Sequence, residues 1–223
     1  MTKLRLQRAL LACASAIGAT ASAQASVVTL DAYDSGYYSN RGATPDLNSI
    51  IEDQTRNNWF AFDLSSIAGK VTGAVLTILA DGRYASGSTT SATYTLYDVS
   101  TDIGALTGGT GGAGAYTDLA SGTIYGAASI ALPNGGGVMP EVSVDLTGAL
   151  DDINAALGGL FAMGGTSDLG ANQYLWISSN AEISARLDLE VAPVPLPAAL
   201  LPFGTALAGL GGLGALRRRS RAA

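Results

Sequence analysis

Apolar and small polar residues alternate in short runs along the middle of the chain, and clusters of Gly, Ser, Thr and Asn separate the runs. A period of two places successive side chains on opposite faces of a β-strand. The clearest run begins at Trp59, because Phe60, Phe62 and Leu64 fall on one face and Trp59 and Ala61 on the other. The pattern predicts strands at 27–33, 59–64, 71–80, 93–99, 123–132, 141–146, 174–178 and 183–191.

Three stretches between these runs lack the alternation. Residues 34–58 are predicted to form a long polar connection, and the Gly-, Thr- and Ala-rich residues 107–116 a flexible loop. One helix is predicted to begin at Thr147 or Gly148 and to end at the glycine pair 158–159, with Leu150, Ile153 and Leu157 on one stripe. Asp63 is expected to cap the turn that follows it. Eight or nine strands and one short helix predict an all-β, jelly-roll-like sandwich over residues 26–192.

Residues 1–25 have the three zones of a secretory signal peptide. Basic residues come first, an apolar stretch follows, and small residues stand at the positions that a signal peptidase reads. Cleavage is therefore expected after Ala23 or Ala25. The chain has one cysteine, Cys13, in this segment, so the mature protein is expected to lack disulfides and thiol nucleophiles.

The other end of the chain, residues 193–223, carries a second targeting pattern. No charged residue occurs from Leu196 to Leu216, a length that would span roughly 30 Å as a helix. Basic residues follow at once and would hold the C-terminus in the cytoplasm as a stop-transfer signal: Arg217, Arg218, Arg219 and Arg221. A plain single-span anchor is one interpretation of this tail.

A second interpretation comes from the residues before the apolar run. Val194, Pro195, Leu196, Pro197 and Ala198, followed by an apolar span and an arginine cluster, resemble the C-terminal sorting signal of PEP-CTERM proteins in its VPLPA variant. The resemblance implies cleavage near 195–198 by an exosortase, a membrane-embedded cysteine protease of transpeptidase type. The segment 59–76 also resembles one found in exported β-sandwich proteins that carry this signal and in carbohydrate-binding jelly rolls.

The charge of the chain is distributed unevenly. All eighteen acidic residues lie between Asp31 and Glu190, whereas seven of the twelve basic residues lie in the two targeting segments. The exported part therefore has five basic and eighteen acidic residues, a formal net charge of −13. Such a surface repels nucleic acid, so no nucleic-acid partner is expected.

The absence of histidine limits the available chemistry. Without His, and without Cys in the mature part, Ser-His-Asp triads, Cys–His pairs and ordinary zinc sites are excluded. A carboxylate pair of the glycosidase kind is the remaining catalytic option. The adjacent acids Glu52-Asp53 and Asp151-Asp152 are better explained as a polar loop and a helix start. We therefore expect no enzymatic activity.

Binding functions suit this composition better. Calcium is the cofactor that an acidic extracellular surface would accept, although no calcium-loop motif identifies ligands. Tyrosines in or beside predicted loops could stack on sugars, with Tyr37 and Tyr38 as the candidate glycan contacts; the others are Tyr33, Tyr84 and Tyr116. The sequence favours a non-catalytic cell-surface or matrix protein that adheres or associates with exopolysaccharide. A lectin-like module and a carboxylate-based carbohydrate-active enzyme are the alternatives.

Overall fold

The computed structural model describes residues 25–41, 53–79, 83–85, 89–133, 137–170, 172–177 and 185–193. In this part, Ala25–Pro193 form one compact unit. Its strands are β1 (Ser26–Asp31), β2 (Asp34–Ser39), β3 (Arg56–Asp63), β4 (Val71–Ile78), β5 (Arg83–Ala85), β6 (Ser91–Tyr97), β7 (Ile124–Ala131), β8 (Gly137–Val138), β9 (Val142–Asp145), β10 (Leu160–Ser167), β11 (Tyr174–Ile177) and β12 (Ala185–Val191). The helices are α1 (Ile103–Thr107), α2 (Gly112–Asp118) and α3 (Leu150–Ala155), with a 3₁₀ turn at Thr147–Ala149 before α3.

Two antiparallel sheets make up most of the domain. One has four strands in the order β1-β12-β4-β9, and the other has five in the order β2-β3-β10-β6-β7. A small third sheet joins β11, β5 and β8. The fold is therefore all-β and of the sandwich type, as the alternation predicts.

The main core lies between the two larger sheets. Strand β12 supplies Leu187 and Leu189, and β3 supplies Phe60 and Phe62, all without exposed surface. The intervening residues of β12 point to the other face, so the period-two pattern sorts this strand into a buried and a polar side. The alternation that the sequence predicts for 59–64 is confirmed, because Trp59 lies in a separate cluster on the opposite face of β3.

Several predicted elements are confirmed within a few residues. Asp63 accepts a hydrogen bond from the Ser65 backbone N–H at 2.9 Å, which is the expected turn cap. The strand predicted at 123–132 is present as β7, and its pairing with β6 shifts register next to Gly126. A Cβ at Gly126 would lie 2.0 Å from the Asp145 carbonyl oxygen, so only glycine allows β7 and β9 to approach so closely.

Three predictions about the connections are wrong. The polar stretch 34–58 contains β2 and the start of β3, because Asp34–Ser39 pair antiparallel along β3. The Gly- and Ala-rich stretch 107–116 contains most of α2 rather than a flexible loop. Residues 160–167, for which the pattern predicts no strand, form the central strand β10 of the five-stranded sheet.

The segment 98–123, which we call the helical cover, explains the second of these errors. Its helices α1 and α2 lie on the outer face of the five-stranded sheet, where Leu106, Ala115 and Leu119 pack against Tyr38 and Trp59. Burial of these few apolar side chains stabilises helices whose glycines give them little intrinsic propensity.

The first and last strands of the domain pair with each other. Ser26 lies opposite Val191 at the start of β1 and the end of β12. The backbone N–H of Ala192 then donates a hydrogen bond of 2.8 Å to the Lys70 carbonyl oxygen. The two ends of the described domain therefore leave from neighbouring positions on the same sheet.

Candidate functional site

The structure corrects the placement of Tyr38. This tyrosine lies in β2 and is fully buried under the helical cover. Its hydroxyl lies 2.8 Å from the Ala105 carbonyl oxygen and 2.9 Å from that of Leu106, and it accepts a hydrogen bond from the Gly111 N–H at 3.2 Å. Burial raises the pKa of Tyr38, against the opposing effect of the Gly111 N–H. Because the ring is covered, Tyr38 offers no face to a sugar.

The neighbouring Tyr37 also lies in β2 rather than in a loop, and it is half-buried. The Arg56 guanidinium lies 5.6 Å from the centre of its ring, within the range of a cation–π contact. Its role as a glycan contact stays a prediction. Among the other tyrosines, Tyr33 is exposed, whereas the Tyr116 hydroxyl in α2 donates to the Gln54 carbonyl oxygen at 3.0 Å.

The outer face of the four-stranded sheet carries an open groove of about 560 Å³. Such a volume lies within the range that ligand pockets have. The groove is lined by acidic, threonine and small side chains from all four strands and the turn after β9: Val27, Thr72, Gly73, Ala74, Val75, Asp145, Thr147, Asp188 and Glu190.

Strand register brings these residues together. On β12, Asp188 and Glu190 face outward two residues apart, opposite Val75 and Gly73 of β4. Val75 in turn faces Asp145 of β9. A Cβ at Gly73 would lie 2.8 Å from a Glu190 carboxylate oxygen, so the missing side chain leaves a hollow that this carboxylate covers.

Two of the carboxylates are held by local hydrogen bonds. The Thr29 hydroxyl donates to Asp188 Oδ1 at 2.5 Å, and the Arg186 Nε lies 3.4 Å from Asp188 Oδ2. Asp145 accepts hydrogen bonds from the hydroxyl of Thr147 and, at 2.8 Å, from its backbone N–H. These two bonds lower the pKa of Asp145. The groove thus presents carboxylate oxygens, which accept hydrogen bonds from hydroxyl or amino groups.

The acidic pairs considered for catalysis have local structural contacts. Asp53 is buried in a turn, where it accepts hydrogen bonds from Thr55 and forms an ion pair with Arg56 at 2.5 Å. Asp151 and Asp152 lie in the first turn of α3, as predicted, and the Tyr125 hydroxyl donates to Asp152 at 2.7 Å. Burial and this carboxylate raise the pKa of Tyr125. Glu52 lies outside the described residues.

No group of three or more acidic side chains in the described ranges converges in a way that could hold a metal ion. The structure therefore identifies no calcium ligands there. Calcium stays a prediction from the acidic composition.

The residues of the two targeting signals are almost all outside the described part. Ala25 is exposed immediately before β1. Ala23, the motif at 194–198 and the arginines at 217–219 and 221 have no structural account. Within the described ranges, no helix has the length and apolar character needed to cross a bilayer.

The sequence pattern does not predict the groove. The outward positions of β12, at 186, 188 and 190, are visible as polar residues alternating with apolar ones. The contribution of Asp145 and Gly73 has no comparable signal, because it depends on which strands become neighbours in the sheet.

No family model matches the chain, and no curated protein sequence matches it significantly.

Proposed function

We propose that this chain is an exported, non-catalytic protein of the cell surface or extracellular matrix that associates with exopolysaccharide. The observation that carries the proposal is the open groove on the outer face of the four-stranded sheet, with Asp145, Asp188 and Glu190 along it. On the five-stranded sheet, the helical cover closes the outer face at β2, β3 and β10. One face of the described sandwich is thus available to an extended ligand.

Charge favours a particular class of polysaccharide. Neutral sugars donate hydroxyl hydrogens to carboxylate oxygens, and amino sugars add an opposite charge. An acidic polysaccharide would be repelled by an exported part with a formal net charge of −13. We therefore propose a neutral or amine-bearing polysaccharide as the ligand.

The proposed fold is a jelly roll. The strand order β1-β12-β4-β9 opposite β3-β10-β6-β7 supports it, because consecutive strands repeatedly alternate between the two sheets. Strand β2 would then be an additional edge strand beside β3.

The proposed localisation is export through the inner membrane, transient anchoring by the C-terminal helix, and exosortase cleavage near 195–198. The signal-peptide pattern, the uncharged run and the arginine cluster support it. Intact mass of the protein from cells and from medium tests it. A mass that begins near residue 24 or 26 and ends near 195–198 is expected; a mass that retains Arg217–Arg219 would show a permanent anchor.

Groove variants test the ligand. Protein recovered from the medium is incubated with neutral, amine-bearing and acidic polysaccharides, and binding is measured by co-sedimentation. Asp188→Asn with Glu190→Gln should weaken binding at least about tenfold, and Gly73→Val should do the same by filling the hollow. Asp151→Asn, an exposed carboxylate on α3, is the matched control. Equal binding by all variants would reject the groove.

Two alternative functions, a lectin-like module and a carboxylate-based carbohydrate-active enzyme, are each supported by a different structural feature. A lectin-like site at Tyr37 is favoured by the ring and the Arg56 cation beside it, and loss of binding in Tyr37→Ala alone would support it. A carboxylate enzyme is favoured by Asp145 and Asp188, which lie two strands apart, roughly 9–10 Å between backbones. The lowered pKa of Asp145 does not suit it as a general acid. Reproducible release of reducing ends would establish the enzyme.

A further inference from the structure

The middle of the groove is a row of three side chains that runs across the strands of the four-stranded sheet. Asp188 of β12 lies opposite Val75 of β4, and Val75 lies opposite Asp145 of β9. All three side chains line the groove. Because neighbouring strands are about 4.8 Å apart, roughly 9–10 Å separate the two acidic positions. The row therefore has a carboxyl group at each end and an apolar side chain between them.

The charges around this row favour a cationic ligand. Of the described residues that line the groove, three are acidic and none is basic. The Arg186 guanidinium lies beside Asp188, whereas Asp145 is hydrogen-bonded to the uncharged Thr147. A hydrogen bond from an ammonium group to a carboxylate is about twice as strong as one between neutral groups. A ligand with amino groups therefore complements the row better than a ligand with hydroxyl groups alone.

Both carboxyl groups are held in place by neighbouring threonines. The Thr29 hydroxyl of β1 donates to Asp188 Oδ1 at 2.5 Å, and the Thr147 N–H donates to Asp145 Oδ1 at 2.8 Å. Side chains that are already ordered lose little conformational freedom when a ligand binds. The distance between the two ends of the row is therefore a fixed property of the sheet, and it can select a ligand by the spacing of its cations.

A polymer of amino sugars has cations at a regular spacing. In an extended chain of glucosamine units, successive units are turned over, so the amino groups of every second unit face the same side. One unit is about as long as one strand spacing, so two units cover roughly the 9–10 Å between Asp188 and Asp145. The unit between them turns its amino group away from the sheet and needs no charged partner, which suits the half-buried Val75.

We propose that this row binds a polysaccharide with free amino groups and recognises amino groups two sugar units apart. The inference rests on the proposed function and narrows its ligand from neutral or amine-bearing polysaccharides to the amine-bearing class. Asp188 and Asp145 each accept a hydrogen bond from one ammonium group, and the polymer crosses the strands along the row. N-acetylation removes both cations and enlarges the groups that face the two carboxyl groups.

Chitosan and chitin oligomers test the inference on the full chain, purified in mild detergent. The two share one sugar backbone, but chitosan has free amino groups where chitin is N-acetylated. Isothermal titration calorimetry in mildly acidic buffer, where the sugar amines are protonated, gives the affinities. The variants are Asp145→Asn and Asp188→Asn, and each keeps a side-chain oxygen that can accept the hydrogen bond from its threonine. Asp151→Asn is the matched control for the loss of one acidic group outside the groove.

We expect the chitosan trimer to bind at least about tenfold more tightly than the dimer, because the trimer alone of the two reaches both ends of the row. Asp145→Asn and Asp188→Asn should each remove this difference, and Asp151→Asn should retain it. The chitin trimer should bind at least about tenfold more weakly than the chitosan trimer.

Three results would each overturn the inference. They are equal affinities of the parent for chitin and chitosan trimers, equal affinities for chitosan dimer and trimer, and the same loss in Asp151→Asn as in the row variants. Binding of exopolysaccharide through the groove in the co-sedimentation experiment would still support the proposed function in all three cases. Failure of every polysaccharide and oligomer to bind would overturn both proposals. The first two comparisons use the parent protein, so they decide the inference even where a variant fails to fold.

Discussion

The two large sheets share one core but differ on their outer faces. On the five-stranded sheet, Tyr38 and Trp59 point away from the main core and are buried again under the helical cover. On the four-stranded sheet, the outward positions of β12 are Arg186, Asp188 and Glu190, and the face is open. A sheet whose outer residues are aromatic needs a second layer, whereas one whose outer residues are charged can remain in water.

This difference separates stability from binding in the described domain. Changes beneath the helical cover should cost folding free energy, and changes on the open face should affect ligand binding instead. Substitutions on the two faces should therefore differ in their effect on the free energy of unfolding.

Trp59→Ala should have the largest effect. It removes a fully buried indole from between β3 and the cover, which costs about 3–5 kcal/mol of unfolding free energy. Val27→Ala, on the open face and 66% exposed, should change stability by no more than about 0.5 kcal/mol. Urea unfolding followed by circular dichroism measures both. Similar losses of unfolding free energy for the two variants would show that the covered and open faces contribute equally to stability.

Gly164→Ala tests how closely the cover lies on the sheet. An added Cβ would sit 2.5 Å from backbone atoms of Leu119, so we expect a loss of about 1–3 kcal/mol. Gly114→Ala in α2 is the matched change, because its Cβ would meet nothing within 4 Å. It should stabilise the protein by about 0.5–1 kcal/mol through helix propensity. Thermal unfolding should therefore move in opposite directions for the two variants.

Tyr38→Phe tests how much the hydrogen bonds of the Tyr38 hydroxyl stabilise the helical cover. The ring keeps its packing, but the bonds to the Ala105 and Leu106 carbonyl oxygens and the acceptor for Gly111 are lost. We expect a loss of about 1–2 kcal/mol, and faster hydrogen exchange at residues 103–118 than in the parent. Unchanged exchange there would show that packing alone holds the cover.

The contribution of Asp118 to the stability of the helical cover should depend on pH. Burial acts to raise its pKa, but hydrogen bonds from the hydroxyl and N–H groups of Ser100 and Thr101 prevail, and the pKa is lowered from 3.8. The stabilisation is therefore complete above about pH 4 and is lost as the pH falls through the lowered value. Asp118→Asn should flatten this part of the stability–pH curve in urea unfolding between pH 2 and 6.

The groove variants should have the smallest effect on folding. Glu190→Gln alters an exposed side chain, so its stability should stay within about 0.5 kcal/mol of the parent while polysaccharide binding falls. A variant that loses binding only because it unfolds would not count, and urea unfolding distinguishes the two cases.

Periodicity predicted the strands whose two faces differ in polarity, such as β3 and β12. It failed for β10, because Gly164 and Gly165 are small for reasons that lie elsewhere in the chain: Gly164 accommodates Leu119, and a Cβ at Gly165 would clash with Tyr94 and Asn58. It failed for α2 because tertiary burial, not propensity, makes those residues helical.

The groove was only partly predictable for the same reason. The alternation along β12 gives Asp188 and Glu190 a common face, but nothing local relates them to Asp145, more than forty residues earlier. Tyr38 was predicted to be an accessible loop residue because residues near it in sequence are polar. In the structure it is buried by residues 105–119 of the helical cover, which are distant in sequence.

The pairing of β1 with β12 also sets an order of events in time. Strand β1 is made first and its partner last, with about 160 residues between them. At a synthesis rate of roughly 5–20 residues per second, on the order of 8–30 s pass between the synthesis of β1 and that of β12. Until then Val28 and Leu30, which pack on the core in the finished domain, have no partner strand. The four-stranded sheet therefore closes only after chain synthesis has passed β12, and a chaperone that binds short apolar strands would find β1 available throughout that interval.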